Sequence, residues 1–470
     1  MDDAVEKMHP PEGELAQRAA RAIEIVRRRS GVSDAVMVVL TNPRARMSYD
    51  IDYPFRPSSS MRYLGHCDAP DTVLVLHPRS HPRLAYLDRI GPLDGGSVTK
   101  SADLTPLDEL HDREGFERLF GYQALMDYVE PLLEHGSSPF VVRDEAVWNA
   151  AVVDAHAPST LAGRYRDLMG VVHARYDPFD ERAACCTAID AVREARLIKS
   201  EYELACLHRA ARAANAALNV IDLLVSDFAR GRRQRGGVSE QDLERMLKAN
   251  FYLYGCTANS FAPIVALGAH AAVLHHRPTA SLTLDAARPP QLVIDVGPSY
   301  GGYASDFTRS WWIGRAAAAS AVERQSLAHR RVHDMLSAVL RDMIAACRPG
   351  TRVGEVVERF ESASMAYVGE IPEQTNPAHR REWLRSLTPH GIVHWIGLDV
   401  HDPHPETDHP SLLATTLRPG MCMALEPAYY FPAEGPLAPR TEAMRGLCIR
   451  VEASLAVQAE GPPRVLGAAG

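Results

Sequence analysis

The sequence predicts an α/β domain followed by a larger α+β domain. In the first part, short apolar runs alternate with helix-like stretches, a pattern typical of α/β structure. In the second part, long amphipathic helices are followed by short strand-like runs separated by loops, which indicates α+β structure. A length of 470 residues alone would suggest about three domains, but one large domain can account for two of these.

The amino-terminal elements follow from periodicity and composition. Residues 1–12 are polar and are expected to form a disordered tail. Residues 14–29 have helical periodicity, and a further helical region is expected around 115–133. Buried strands are predicted at 35–40, 72–76 and 140–142. Together these elements predict an amino-terminal domain at 13–180.

Helix caps divide the rest of the chain. Ser200 and Glu203 match a capping box, and the helix that follows is expected to reach about residue 224. Ser239 and Asp242 are expected to cap the next helix. The remaining predicted segments are a basic, glycine-rich surface loop at 230–237, a third long helix at 318–347, a second domain at 181–460 and a tail at 461–470.

Composition limits the classes of function. The net charge is −8 and the basic loop at 230–237 is interpreted as solvated surface rather than as a docking site for an acidic partner, so a nucleic-acid partner is not expected. No apolar stretch approaches the ~18 residues of a membrane span, and the acidic start lacks the apolar core of a signal peptide. The 8 cysteines include no CxxC pair and are expected to be reduced thiols in a cytoplasmic protein.

Two acidic residues lie in the strand-like runs of a predicted hairpin. Asp295 lies in the run LVIDVG and Asp306 in YASDFTR, and residues 298–302 between the runs have a turn composition. If the turn centres between Tyr300 and Gly301, the two acids lie directly opposite each other, with Cβ atoms about 5 Å apart. Buried carboxylates at that distance need a shared proton or a cation. The alternative is an asymmetric loop whose acids point to water.

Three histidines lie in the segment HGIVHWIGLDVHD. His390, His394 and His401 are flanked by aliphatic residues, and this clustering favours a ligand or catalytic role over a structural one. The segment is not the HExxH zinc motif, because Gly391 stands where that motif requires glutamate. The glycines and β-branched residues argue against a helix that would align the histidines.

Two further acids lie in apolar, strand-like runs. Glu426 follows MAL, and Glu452 lies in IRVEA, where Arg450 could instead pair with it. A carboxylate rarely enters such a run unless it is paired or bound to metal. Four carboxylates and one imidazole are too many for one tetrahedral zinc, but they suit two divalent ions such as Mn²⁺. These five candidate ligands are Asp295, Asp306, His394, Glu426 and Glu452.

The order Asp, Asp, His, Glu, Glu resembles that of the pita-bread metallopeptidases, family M24, in the aminopeptidase P (Xaa-Pro aminopeptidase) and prolidase branch. The segments DVG…YASDFTR, HGIVHWIGLDVHD, ALEP and IRVE carry the resemblance, and residues 52–65 resemble the amino-terminal domain of aminopeptidase P. The resemblance implies a carboxy-terminal pita-bread (creatinase/aminopeptidase) catalytic domain preceded by a smaller α/β domain. It also implies a homodimer or homotetramer.

The implied activity is that of a dinuclear-metal Xaa-Pro aminopeptidase. Such an enzyme hydrolyses the N-terminal residue from peptides with proline in second position, through a hydroxide that bridges two metal ions. Mn²⁺ is the expected metal, with Co²⁺ or Zn²⁺ as alternatives.

The resemblance also implies a role for each matched residue. The five candidate ligands would bind the two ions, with Asp306 and Glu452 bridging them, and Glu426 would also take and pass on a proton. Arg450, with Tyr430, would order one wall of the cleft. The histidines expected to line the cleft and steady the tetrahedral intermediate are His275, His390 and His401.

Some positions depart from the family pattern. Ala428 and Cys448 stand where the family usually has glycine, and Ala453 stands where an acid is usual. None of these changes removes a metal ligand, but they leave other substrates open. One alternative is a Xaa-Pro dipeptidase, which would need a positive group for the terminal carboxylate. The others are a non-peptidase amide hydrolase of specialised metabolism and a metal-free binding module of the same fold.

Overall fold

The chain forms two compact units in this computed structural model. The amino-terminal unit ends at Arg196 and takes in the short segment 404–406, and the carboxy-terminal unit begins at Leu197. The structure describes residues 9–42, 47–48, 53–86, 116–142, 168, 170–171, 178–230, 237–284, 291–313, 320–369, 377–406, 410–434, 439 and 441–468. Residues 1–8 of the predicted tail and 231–236 of the predicted basic loop lie outside these ranges.

The amino-terminal unit has a five-stranded sheet in the order β4-β3-β2-β1-β5. Its strands are β1 Ala35–Leu40, β2 Thr72–Leu76, β3 Arg83–Tyr86, β4 Glu117–Phe120 and β5 Ser138–Val142. Its helices are α1 Glu14–Ser30, α2 Ser59–Gly65, α3 Tyr122–Glu134 and α4 Pro178–Leu197. Strand β1 is buried along its whole length because it pairs with β2 on one side and with β5 on the other.

The strands predicted at 35–40 and 72–76 are confirmed, and the run at 140–142 forms the end of β5. The helix expected around 115–133 is wrong in its first part, where the chain forms strand β4. Burial alternates along β4, and the strand pairs in parallel with β3. This pairing joins residues far apart in the sequence, so it overrides the local helical pattern.

The carboxy-terminal unit begins with two capped helices. The side chain of Ser200 accepts from the amide of Glu203 and that of Ser239 from the amide of Asp242, so both predicted caps are confirmed. The third long helix begins after Ser320 and stays within the predicted range. The helices of this unit are α5 Glu201–Ala229, α6 Glu240–Leu253, α7 Ala321–Ala346, α8 Val353–Gly369 and α9 Pro377–Leu387.

The strands of the carboxy-terminal unit form small antiparallel sheets. The two largest have the orders β12-β10-β8 and β13-β14-β17-β18, and the pairs β7–β11, β6–β9 and β15–β16 complete the set. The strands are β6 Val238–Ser239, β7 Ala258–Asn259, β8 Ile264–Leu267, β9 Thr283–Leu284, β10 Gln291–Val296, β11 Pro298–Ser299, β12 Phe307–Trp312, β13 Val393–Trp395, β14 Cys422–Leu425, β15 Ala428–Tyr430, β16 Cys448–Arg450, β17 Ala453–Ala456 and β18 Arg464–Val465.

The main core of this unit lies between its late helices and the four-stranded sheet. Leu336 of α7 and Val356 of α8 are fully buried in one cluster with Met423 of β14 and Leu455 of β17. Each of the seven cysteines whose side chain is described is a free thiol. In the described ranges, no helix has the length and apolar character needed to cross a membrane.

Candidate metal centre

The hairpin of β10 and β12 brings the first two acids together. Asp295 lies opposite Thr308, so the expected direct pairing with Asp306 is wrong. The turn centres one residue later than expected, between Gly301 and Gly302, whose φ values of 57° and 85° favour glycine. The residue opposite Asp295 is therefore Thr308, two positions after Asp306. Because side chains along a strand alternate between faces, a change of two positions leaves both carboxylates on the same face, with Asp306 diagonally across from Asp295.

The four-stranded sheet supplies the other three candidate ligands. His394 is the middle residue of β13, next to β14. Leu425 at the end of β14 lies opposite Ala453 at the start of β17. The next positions along that ladder are Glu426 and Glu452, so the register itself places the two glutamates side by side.

The two sheets direct these side chains to one place. Two groups each offer metal-ligating atoms within 4.8 Å of one another: Asp295, Asp306 and Glu452, and Asp306, His394 and His401. Nε2 of His394 lies 3.4 Å from Oδ2 of Asp306 and 3.5 Å from Oε1 of Glu426. Asp306 belongs to both groups and Glu426 lies beside His394, so the five candidate ligands form one cluster.

Several atoms of the cluster lack protein partners. Oδ1 of Asp295, Oε1 of Glu452 and Nε2 of His394 are buried and accept or donate no hydrogen bond. A buried polar atom without a partner costs free energy, and coordination to a cation removes that cost. Since carboxylates with one imidazole suit hard or borderline divalent ions, these residues fit a dinuclear metal centre.

The electrostatics of the site also favour a cation. Burial raises the pKa of Asp306 well above its usual range, and the neighbouring Asp295 and Glu426 raise it further. Burial likewise raises the pKa of Glu452, with Asp306 and Glu426 adding to the shift. Without a cation, the cluster cannot hold all of its carboxylates in the ionised form.

Arg450 of β16 and Thr308 of β12 link the acids to one another. Arg450 donates to Oδ2 of Asp295, to the Thr308 hydroxyl at 2.8 Å and to the Tyr430 hydroxyl at 3.1 Å. The Thr308 hydroxyl in turn donates to Oε2 of Glu452 at 2.7 Å. Thr308 was missed in the sequence. The spacing could have indicated it, because Thr308 follows Asp306 by two residues and the two side chains therefore lie on the same face of the strand.

The acids open into a cavity of about 260 Å³. His275, His390 and His401 all line it, as the resemblance implies. Burial lowers the pKa of His401, so its imidazole is neutral over more of the physiological pH range. Tyr430 reaches this wall through Arg450, and its ring packs edge-on against that of His390 with centroids 5.6 Å apart.

A buried ion pair fixes the loop between the second and third histidines. Nζ of Lys199 lies 3.0 Å from Oδ2 of Asp402, and both side chains are almost completely buried. Oδ1 of Asp402 accepts from the amide of Asp399 at 3.3 Å, and the Asp402 amide donates to Trp395 at 2.9 Å. Sequence reasoning missed this pair, because its members are about 200 residues apart and neither is unusual locally.

Glu240 was also missed, although its side chain is fully buried. Its carboxylate has five partners at 2.8–3.0 Å: the amides of Leu267 and Thr279, the hydroxyl of Thr279, Nδ1 of His270 and Nε2 of His276. Burial opposes ionisation, but these hydrogen bonds outweigh it and lower the pKa of Glu240. Because backbone amides already occupy both oxygens, this cluster is a structural anchor for the segment 268–279, which carries His275.

Replacing Glu240 with alanine is expected to lower the free energy of unfolding by about 2–4 kcal/mol, because it leaves buried amide donors without acceptors. The measurement is urea denaturation of the variant beside Glu244→Ala. Glu244 lies on the same helix and pairs with Lys248 near the surface, so its loss should cost less than about 1 kcal/mol. Equal stability of the two variants would contradict the anchoring role.

The sequence model described as Metallopeptidase family M24 matches residues 205–459, more than half of the chain. The chain belongs to metallopeptidase family M24. A second model, described as the N-terminal domain of aminopeptidase P, matches residues 15–89. The M24 match contains all five candidate ligands, and the predictions of a metallopeptidase and of its family are confirmed.

Relatives of this M24 protein match along most of its length. It is 25% identical to a Xaa-Pro aminopeptidase of Escherichia coli K12, covering 90% of this chain and 88% of the relative. It is 26% identical to human Xaa-Pro aminopeptidase 3, covering 92% of this chain and 78% of the relative.

Two solved structures have the same fold. One is a histidine-to-alanine variant of Escherichia coli aminopeptidase P, with a TM-score of 0.72, 21% identity and coverage of 97% and 94% of the two chains. The other is proline aminopeptidase P II from Yersinia pestis, with a TM-score of 0.69, 21% identity and coverage of 97% and 95%. The predicted fold class, a pita-bread domain preceded by an aminopeptidase P amino-terminal domain, is confirmed.

Proposed function

We propose that this M24 protein is a Xaa-Pro aminopeptidase that works with two divalent ions, Mn²⁺ being the expected metal. The observation that carries the proposal is the convergence of four carboxylates on a single cavity, with the His394 imidazole next to two of them and with buried ligand atoms that have no protein partner. The names of the relatives support the substrate class, since the two relatives described above are Xaa-Pro aminopeptidases.

The five candidate ligands would hold the metal. Bound ions would supply Lewis acidity, polarising the scissile carbonyl and making a nearby water more acidic. Arg450 holds one oxygen of Asp295, which leaves the other oxygen for a ligand. The free amine of the substrate would lie near Asp295, which restricts the cut to the first peptide bond.

Glu426 is the residue placed to move a proton. Its carboxylate oxygens lie 3.5 Å from Nδ1 of His390 and 3.5 Å from Nε2 of His394. Its amide donates to the carbonyl of Ile392 at 2.9 Å, which fixes the backbone at the cavity wall. From there the carboxylate would take a proton from the attacking water and deliver it to the leaving nitrogen.

The histidines of the cavity would stabilise developing charge. His275, His390 and His401 all line the space that the substrate would occupy. A neutral imidazole can donate one hydrogen bond, and donors placed where oxyanion charge develops lower the barrier more than they strengthen substrate binding.

The cellular location and the oligomeric state are part of the same proposal. We infer a cytoplasmic protein, supported by free thiols at every cysteine with a described side chain. We infer a homodimer or homotetramer, supported by the match of residues 15–89 to an aminopeptidase P domain. Light scattering of the purified protein measures the assembly, and a monomer would contradict it.

The proposed activity is tested with a series of Xaa-Pro peptides of two, three and five residues. After dialysis against a chelator we expect no turnover, and added Mn²⁺ should restore release of the first residue from all three lengths. Elemental analysis should find two ions per chain. Cleavage of the dipeptide alone would indicate a dipeptidase, and no cleavage of any peptide would contradict the proposed function. A matched series with alanine in second position is the control.

A further inference from the structure

Arg277 lines the same cavity as the acids and is not part of the proposed machinery. It follows His275 by two residues, and its side chain is exposed. Within the part of the chain that the structure describes, its guanidinium forms no ion pair with a protein carboxylate. A cation that lines an acid-rich cavity without pairing with any of the acids has its hydrogen-bond donors available for a bound molecule.

The other arginine of the cavity differs in this respect. Arg450 is buried, and its donors are taken by Asp295, Thr308 and Tyr430. It therefore orders the protein, whereas Arg277 has no such internal task among the described residues.

The backbone around Arg277 is held in place. His276 and Thr279, on either side of it, both bond to the buried carboxylate of Glu240, at 2.9 Å and 3.0 Å. The amide of Gln241 donates to the carbonyl of Thr279 at 3.2 Å. Arg277 thus extends from a fixed backbone position, and its planar fork of N–H donors matches the two oxygens of a carboxylate.

We propose that Arg277 forms an anion subsite that binds a carboxylate of the substrate. This inference rests on the proposed peptidase function and specifies its substrate class. An extended chain rises about 3.3–3.6 Å per residue, so a short peptide keeps its terminal carboxylate close to the cavity that holds its amine. A volume of about 260 Å³ is consistent with such a short substrate. The same carboxylate chemistry could come from an acidic side chain of a longer peptide.

The test compares Ala-Pro-Ala with a free carboxylate, its C-terminal amide and the amide of Ala-Pro-Glu, for wild type, Arg277→Gln and Arg277→Lys in saturating Mn²⁺. We expect Arg277→Gln to raise KM for the free acid about ten-fold, with kcat within about two-fold and KM for the neutral amide unchanged. Arg277→Lys should restore only part of the loss, because its ammonium keeps the charge but cannot make the bidentate contact. Arg341→Gln, an exposed arginine on α7, is the matched control and should change none of these values.

The outcomes distinguish a terminal carboxylate from an acidic side chain, and the anion subsite from the peptidase function. An Arg277→Gln effect on the free acid identifies a terminal carboxylate, and an effect on the glutamyl amide identifies an acidic side chain. Equal KM changes for all three peptides, or no change for any, would overturn the subsite. If the wild type cleaves none of them, the peptidase function fails. Calorimetric binding of Ala-Pro-Ala and its amide to wild type and Arg277→Gln then decides the subsite on its own.

Discussion

Replacing Glu426 with glutamine should lower kcat for a Xaa-Pro peptide by about 10²–10⁴-fold, the usual contribution of a general acid–base group. Glutamine keeps the size of the side chain and can still face His390 and His394, but it cannot take a proton from the attacking water. Because its backbone is fixed through Ile392, the substitution should leave the local strand pairing intact. The loss should therefore appear in kcat, with the fold preserved.

The measurement is steady-state turnover in saturating Mn²⁺, together with circular dichroism and the metal content of each sample. Glu460→Gln removes an exposed carboxylate of the same unit and is the matched control, expected to keep wild-type turnover. Turnover of the Glu426 variant within about ten-fold of wild type would rule out Glu426 as the proton carrier. A structured and inactive variant is the expected result, and because Glu426 is also a candidate ligand, the metal content at saturating Mn²⁺ separates loss of the proton carrier from loss of the metal.

The strand-borne acids could be predicted because their signal is local. A carboxylate in a buried apolar run is costly, so Glu426 and Glu452 stand out in the sequence before any partner is known. The spacing of Asp295 and Asp306 gave the correct face of the hairpin even though the predicted register was wrong. A change of two residues in partner preserves the face of every side chain, whereas a change of one would have separated the carboxylates.

The supporting contacts could not be predicted, because they depend on tertiary structure. Lys199 reaches Asp402, and Glu240 gathers donors from residues 267–279, only once the helices and sheets have packed. Locally, Glu240 looks like an ordinary acid in the first turn of a capped helix. The error at β4 has the same origin, since that strand forms by pairing with β3.

Two of the three departures from the family pattern, Ala428 and Cys448, lie in one small sheet. Ala428 begins β15 and Cys448 begins β16, and the two strands pair antiparallel, with Tyr430 opposite Cys448 and Ala428 opposite Arg450. Ala428 and Cys448 are both buried within this pairing. Glycine at these positions is therefore not needed to bring Arg450 to Asp295. The change affects the packing behind the cavity wall and leaves the ligand set intact.

Removing one carboxylate from the cluster should stabilise the metal-free protein while abolishing metal loading. In Asp306→Asn, the repulsion from Asp295 and Glu426 is lost, so after chelation we expect the variant to melt about 2–6 °C above wild type. In Mn²⁺ the order should reverse, because wild type gains about 2.7 kcal/mol when the metal is at a hundred times its Kd and the variant gains little.

Charge repulsion predicts that stability changes with pH, which a general effect on packing would not do. The folded-state pKa values of Asp306 and Glu452 are raised above those of the unfolded chain. These two carboxyl groups stabilise the folded protein fully when the pH is below their pKa in the unfolded chain, about 4. This stabilisation is lost as the pH rises through their pKa values in the folded protein. Metal-free wild type should therefore lose stability as pH increases above about 4, and Asp306→Asn should lose less.

Thermal melts in chelator at several pH values measure this, with Asp334→Asn, an exposed aspartate on α7, as the control. Parallel melting curves for wild type and Asp306→Asn would contradict the repulsion, and they would remove the physical reason for placing a cation at this cluster.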